Sequence, residues 1–315
     1  MGREWIKNIN LTKRILEIGP LHCPNIKKAP GVNVFYADIR STDDVKKFFY
    51  ADTHVPNDQI VDIDYVIGEK YSESLANAEK FDYVIATHVL EHIPQLILFF
   101  QDIGKILNAK GKLCLAIPDK RYCFDHFRYP TSFAECYDVY TRKINNLPFR
   151  VLDFCINYTI NDADYWWNNR SNFDHMRDMD QFSGGGGAKE NYIKALNGEY
   201  IDVHFSVFTP ETFLTLLYNM ICFNLLPFKC IEFYSTDVGA LEFNCVLEYE
   251  PKLLEKESME AQKEKDNLLN LLNKYNDSII PKRQKKSLMV SIKSLLKKIY
   301  IIRIIYMKIK NLNIK

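Results

Sequence analysis

The sequence predicts a doubly wound α/β fold, and three observations predict it. Five short runs rich in Ile, Val, Leu and Tyr recur over residues 14–118, with polar or helix-periodic stretches between them. The first three close on Gly19, Asp38 and Gly68, which places small or acidic groups at strand ends. Two further β-rich runs, 227–235 and 242–249, follow much later and are joined by a short Asp237-Val238-Gly239 turn. Near-continuous apolar strands separated by helices are the signature of a parallel sheet covered on both faces, and a doubly wound sheet is its usual form.

In chain order, the strands are residues 14–19 (RILEIG), 32–38 (VNVFYAD), 63–68 (IDYVIG), 81–86 (FDYVIA) and 111–118 (GKLCLAIP). Between the last two, Leu96, Phe99, Phe100, Ile103 and Leu107 recur at helical spacing. After Pro118 the texture changes. Residues 119–205 are aromatic and charged, carry Trp166, Trp167 and four glycines at 184–187, and show no strand alternation. They read as a mostly helical insertion with one flexible surface loop at the glycines. Thr209-Pro210-Glu211-Thr212 is a helix start, with Thr209 as N-cap and Pro210 at the first position, continued by Phe213, Leu216, Leu217 and Met220. Residues 252–275 suit a solvated helix with Leu268, Leu269, Leu271 and Leu272 on one side, and Pro281 interrupts it. The organisation is therefore an α/β core at 1–118, an insertion at 119–205, a final helix and β-hairpin at 206–251, and a helical tail at 252–315.

A chain of 315 residues that is 47% hydrophobic and 26% charged builds its own core without disulfide or metal staples. The net charge of +1 hides an asymmetry: residues 282–315 hold eleven Lys or Arg and no acid, so the remainder is strongly acidic. The N-terminus lacks an apolar signal region and no stretch is long and apolar enough to span a bilayer. The eight cysteines form no CxxC pair. They read as reduced core thiols of a cytoplasmic protein, and no metal site is expected.

The chemistry-bearing residues sit at strand ends. In an open parallel sheet, ligands bind beyond the carboxyl ends of the strands where the strand order reverses. Gly19 there lets a ligand approach the backbone, but the dinucleotide fingerprint GxGxxG is absent. Asp38 ends the second strand nineteen residues later, placed to accept both hydroxyls of an adenosine ribose. The fourth strand runs straight into Thr87, His88, Glu91 and His92.

In this order, ILEIG, YAD, FDYVIATHVLEH and GKLCLAIPDKRY resemble the class I S-adenosylmethionine-dependent methyltransferases. The likeness is greatest to a bacterial branch associated with glycosyltransferases of surface-polysaccharide biosynthesis, in which the fourth strand reads like DFVIASHVLEH and the fifth like LAIPDKRYTFD. Residues 202–211 (DVHFSVFTPE) resemble that branch too, so the likeness covers roughly residues 11–250. It implies a Rossmann-like methyltransferase sheet ending in an antiparallel hairpin, S-adenosylmethionine as cofactor, and a sugar or glycan-precursor hydroxyl as acceptor. Carried over, Glu17 and Gly19 hold the methionine end, with Pro20 shaping the turn. Asp38 holds the ribose, Ile39 packs on the adenine, Gly68 or Glu69 lies by the adenine edge, and Thr87 and His88 line the methionine side. The sequence departs from the wider class at its first motif, where Leu21, His22 and Cys23 follow Pro20 in place of further glycines.

A sugar hydroxyl needs a general base as it attacks. His92 and His126 lead the candidates, with Asp119, His88 and His204 behind them. Arg121 and Arg128 would hold a phosphate or carboxylate on the acceptor, or Arg121 would pair with Asp125 on a helix. At about 100° per residue, Leu288, Leu295, Ile299, Ile302, Tyr306 and Ile309 share one face of the basic tail. Such a helix suits peripheral contact with an anionic membrane or a partner protein through 282–315, and no specific nucleic acid is expected. Two competing readings remain at this level. One is a nicotinamide-dependent oxidoreductase, disfavoured by the missing GxGxxG. The other is a non-catalytic methyltransferase-fold protein that tethers a glycan-assembly complex through its tail.

Overall fold

The computed structural model describes residues 3–169 and 186–279. A 3₁₀ turn at Glu4–Asn8 buries Trp5, whose indole Nε1 donates to Asn244 Oδ1 at 2.9 Å. The chain then alternates through β1 (Ile15–Ile18), β2 (Val34–Asp38), α1 (Thr42–Phe48), β3 (Tyr65–Val66), α2 (Tyr71–Ser74), β4 (Phe81–Thr87), α3 (Leu96–Ile106) and β5 (Leu107–Pro118). The insertion contributes α4 (Phe133–Arg142), α5 (Pro148–Asn157), α6 (Ala163–Asn168) and α7 (Gly186–Leu196). After it come α8 (Pro210–Cys222), β6 (Phe228–Tyr234), β7 (Glu242–Tyr249) and α9 (Met259–Ile279).

The seven strands form one sheet in the order β3-β2-β1-β4-β5-β7-β6. β1 pairs in parallel with both β2 and β4, so the strand order reverses there and a crevice opens at the carboxyl ends. All four β1 residues are buried, as a central strand covered on both faces requires. β5–β7 and β6–β7 are antiparallel, which is the terminal hairpin expected from the sequence.

Helices seal the faces. In α3, Leu96, Phe99, Phe100 and Ile103 are buried, and Gly104 stands where a Cβ would come within 2.7 Å of Tyr249 Cε2. Only glycine allows this helix so close to β7. Thr209 caps α8 in a reciprocal capping box with Thr212. Phe213 of α8 packs 5.4 Å from Phe208 and 5.6 Å from Phe243. Burying each such side chain stabilises the fold by roughly 1.5–3 kcal/mol.

Three details depart from the sequence reading. β3 keeps only two paired residues, because Asp64 turns its carboxylate back to accept from Tyr36 N and Lys28 Nζ, each at 2.7 Å. Gly186 and Gly187 open α7 rather than lying in a loop; Gly184 and Gly185 lie outside the described residues. The helix expected to be solvated at 252–275 begins at Met259 and is docked. Ala261, Glu264 and Leu268 are buried while Leu269 is exposed. Glu264 Oε1 accepts from Cys230 N at 2.8 Å and Asn267 Nδ2 donates to Cys230 O at 2.9 Å, where the β6–β7 register shifts.

The chain divides into compact units at 1–271 and 272–315, and the described part of the second is helical. The basic amphipathic segment at 282–315 lies outside the described residues. No helix among the described residues is long and apolar enough to cross a membrane. All eight cysteines are free, five of them buried.

Candidate active site

A cleft of about 810 Å³ opens over the carboxyl ends of β1, β2 and β4, a size usual for small-molecule sites. β1 delivers Gly19, whose φ of +63° and 3.1 Å clearance from Val89 Cγ2 leave little room for any other residue. β2 delivers Asp38, Ile39 and Arg40. Asp38 Oδ1 accepts from Arg40 N at 2.9 Å, and burial pushes its carboxyl above the usual aspartate value. Ile39 leaves half its surface exposed (52%), an apolar platform at the rim. Gly68 and Glu69 follow β3, and His88 and Val89 follow β4.

Of the residues carried over for the cofactor, Gly19, Asp38, Ile39, Gly68, Glu69 and His88 line this cleft. Glu17, Pro20 and Thr87 do not. Glu17 is 1% exposed and its carboxylate accepts from Asn25 N (2.6 Å), Asn25 Nδ2 (2.9 Å) and Ile26 N (3.1 Å). Asn25 also donates to Thr87 Oγ1 at 3.1 Å and accepts from Arg3 Nη1 at 2.5 Å. These groups brace the 20–26 loop from beneath.

The opposite wall comes from the insertion. Asn145, Asn146, Glu199, Tyr200, Asp202 and Phe205 line the cleft together with His92 and Gln95, and Gln95 Nε2 donates to Asn145 Oδ1. His92 Nδ1 stands 3.1 Å from Asp202 Oδ1, to which Tyr200 Oη donates at 3.0 Å. The Arg40 guanidinium sits 5.5 Å over the Tyr200 ring and so links the two walls.

Behind His92 lies a buried polar cluster. His204 Nδ1 is 2.5 Å from Asp125 Oδ2, Arg128 Nη1 donates to Asp125 Oδ1 at 2.7 Å, and Arg128 Nε donates to Asp153 at 2.8 Å. Glu91, 1% exposed, lies 3.5 Å from His88 Nδ1 and 3.8 Å from His204 Nε2, and neither of its oxygens makes a hydrogen bond. His88 holds a left-handed backbone (φ +52°), rare for a residue with a side chain. Its Nε2 lies 2.7 Å from Glu242, which Arg3 grips at 2.8 Å on both oxygens. Burial alone would lower the imidazole of His88; its two carboxylate neighbours outweigh burial and push it up to about 9. Glu242 is drawn down to about 2 against the same burial penalty. His92 is raised and Asp202 lowered, each by the other, again against burial.

Two candidate bases sit elsewhere. The His126 ring stacks on Trp166 at 3.9 Å, its Nδ1 lies 2.8 Å from the Arg121 carbonyl, and burial lowers it. Asp119 is fully buried, bonded by Arg121 Nε (2.9 Å) and Thr236 Oγ1 (2.7 Å). Neither lines the cleft. The expected roles of the arginines change as well. Arg121 pairs with Asp119 rather than Asp125, and Arg128 is a buried structural cation rather than an acceptor clamp. Sequence reasoning assigned no role to Asn25, Asp202 or Glu242, named Glu91 only as part of the polar cluster after the fourth strand, and gave Asp125 only a pairing with Arg121. The available signal was the 202–206 segment, whose Phe205 and Ser206 amides both bond the Glu91 carbonyl.

A family model described as a methyltransferase domain matches residues 5–177. Among solved structures, a SAM-dependent methyltransferase from Methanosarcina mazei is 14% identical, with 79% of this chain and 98% of that chain covered and a TM-score of 0.36. The CcbJ methyltransferase from Streptomyces caelestis is 14% identical over 35% of this chain and 48% of that chain, with a TM-score of 0.22. The trans-methyltransferase CalH, in complex with SAH, is 15% identical over 75% of this chain and 51% of that chain, with a TM-score of 0.35. The chain thus spans about half the length of CcbJ and CalH. A search of curated proteins returns no significant match.

Proposed function

Because the chain belongs to the methyltransferase-domain family, we propose that it transfers a methyl group from S-adenosylmethionine to a hydroxyl of a sugar or related glycan precursor. The observation that carries this reading is the pairing of Gly19 and Asp38 on neighbouring strand tips in one cleft. Gly19 admits the methionine end, Asp38 accepts the ribose hydroxyls, and Ile39 lies under the adenine. S-adenosylmethionine supplies the methyl group on a sulfonium and needs no metal to do so. The acceptor oxygen bonds the methyl carbon as the carbon–sulfur bond breaks toward sulfur.

The chain's own contribution is alignment, since holding the reacting atoms about 3–3.5 Å apart accounts for much of such a rate. The insertion side, with Asn145, Asn146, Tyr200 and Asp202 beside Gln95, offers neutral and anionic hydrogen-bonding groups that suit a hydroxyl-rich acceptor. The His92–Asp202 pair receives the hydroxyl proton, being the imidazole–carboxylate pair that faces the cleft. This reassigns the base from His126 and Asp119.

Calorimetric titration of the full chain with S-adenosylhomocysteine tests the reading. Single-site binding is expected near 1 µM, about −8 kcal/mol, followed by labelled methyl transfer to a panel of sugar nucleotides. A folded protein that binds no S-adenosylhomocysteine would sink it.

A further inference from the structure

We propose that Glu91, His92 and His204 form a binding site for a divalent first-row transition-metal ion just behind the cleft wall. Each offers one ligand atom, and these atoms lie within 4.8 Å of one another. Three independent features point to an ion there. The Glu91 carboxylate is 1% exposed and both of its oxygens lack a hydrogen bond. Buried carboxylates are otherwise paired, because an unsatisfied charge away from water is costly.

Each imidazole is also backed by a second carboxylate. Asp125 lies on His204 Nδ1 at 2.5 Å, which leaves Nε2 turned toward Glu91. Asp202 Oδ1 lies 3.1 Å from His92 Nδ1, within ion-pair distance although that nitrogen makes no hydrogen bond. A carboxylate on the far nitrogen is the usual support of a metal-bound histidine, fixing its tautomer and ring orientation. Finally, the two segments that carry the ligands are stitched together, since Phe205 N and Ser206 N donate to the Glu91 carbonyl at 2.7 and 3.0 Å. Glu91 has charge partners in His88 at 3.5 Å and His204 at 3.8 Å, but neither closes a hydrogen bond on it, and Arg128 is turned to Asp125 and Asp153.

Two imidazoles and one carboxylate suit Zn²⁺, Co²⁺, Fe²⁺ or Mn²⁺ rather than the all-oxygen shells of Mg²⁺ and Ca²⁺. Ligands about 2.0–2.2 Å from an ion stand about 3.4 Å apart, so closure asks for under about 1 Å of movement from each side chain. Of the three, His92 lines the cleft, while Glu91 and His204 are buried behind it. An ion bound there occupies His92, so the proton-accepting role proposed for the His92–Asp202 pair belongs to the ion-free chain. The site goes beyond the methyl-transfer reading, and it is measured without turnover.

Tag-free full-length protein, stripped with a chelator, is titrated with Co²⁺ and followed by visible d–d absorption, then challenged with Zn²⁺ or Mg²⁺. One Co²⁺ per chain, displaced by Zn²⁺ but not by Mg²⁺, is expected. Glu91→Gln and His204→Gln should each weaken binding at least about a hundredfold, and Asp125→Asn about tenfold or more. His92→Gln, on the cleft wall, serves if a buried variant does not fold. Absence of one-to-one binding, or equal affinity in wild type and all folded variants, overturns the site. S-adenosylhomocysteine titration of the same preparation separates that failure from failure of the methyl-transfer reading.

Discussion

Along one wall of the cleft, Gly19, Asp38, Ile39, Gly68 and His88 each arrive within two residues of a strand end. The other wall is assembled from α3's approach and from residues 198–205, with the buried Glu91, Asp125, Arg128 and His204 behind it and the partly exposed Asp153 bonded to Arg128. The first wall works with exposed backbone, one apolar platform and one half-buried carboxylate. The second concentrates opposite charges where water does not reach. Burying such groups is favourable only while every partner is present. The sheet-tip wall should therefore tolerate single changes and lose binding, whereas the insertion wall should lose structure.

The largest effect is expected at Arg128. Arg128→Met leaves Asp125 and Asp153 without their shared cation, and breaking a buried pair in this way costs about 3–5 kcal/mol. Chemical denaturation should register that loss; a midpoint unchanged from wild type would collapse the contrast between the walls. On the other side, Asp38→Ala removes the two charge-assisted hydrogen bonds proposed to hold the ribose, at about 1.5–3 kcal/mol each. Affinity for S-adenosylhomocysteine should fall at least tenfold in calorimetry, with the denaturation midpoint nearly unmoved. The smallest effect is a pH slope. Burial raises Asp38 above 3.8, so on acidification it takes up a proton earlier than an ordinary aspartate and stops accepting from the ribose hydroxyls. Binding should weaken as pH falls toward and through that raised value, and Asp38→Asn should bind weakly with no such slope.

The same division explains what could be read from the chain. Strand tips are local: Gly19 and Asp38 follow directly from apolar runs, and the capping box at Thr209 and the stripe of α3 are periodic features of one segment. The terminal hairpin was equally legible from two β-rich runs. The insertion wall depends on which distant segment folds against which. Nothing in the spacing from Glu91 to His204 announces that their side chains meet, and His126 and Asp119 look as available as His92 until burial assigns them other partners. β3 was overestimated because an apolar run does not reveal that its preceding Asp64 bonds back to Tyr36. Metal-ligand spacing is legible in paired cysteines, and the three proposed ligands include no cysteine and are spread from residue 91 to residue 204.

At the outer edge of the sheet, β6 has a neighbour on one side only. An open strand edge is a template on which another chain can add a strand. At Cys230 that template is already read. Glu264 takes its N–H and Asn267 takes its carbonyl, so two side chains of α9 occupy the bonds a foreign strand would need. Glu264 does so from a buried position that pushes its carboxyl up to about 7, which favours the uncharged form under mildly acidic conditions. The charged stretch after the hairpin is thus less an appendage than a clasp, and the compact body extends past it to Leu271.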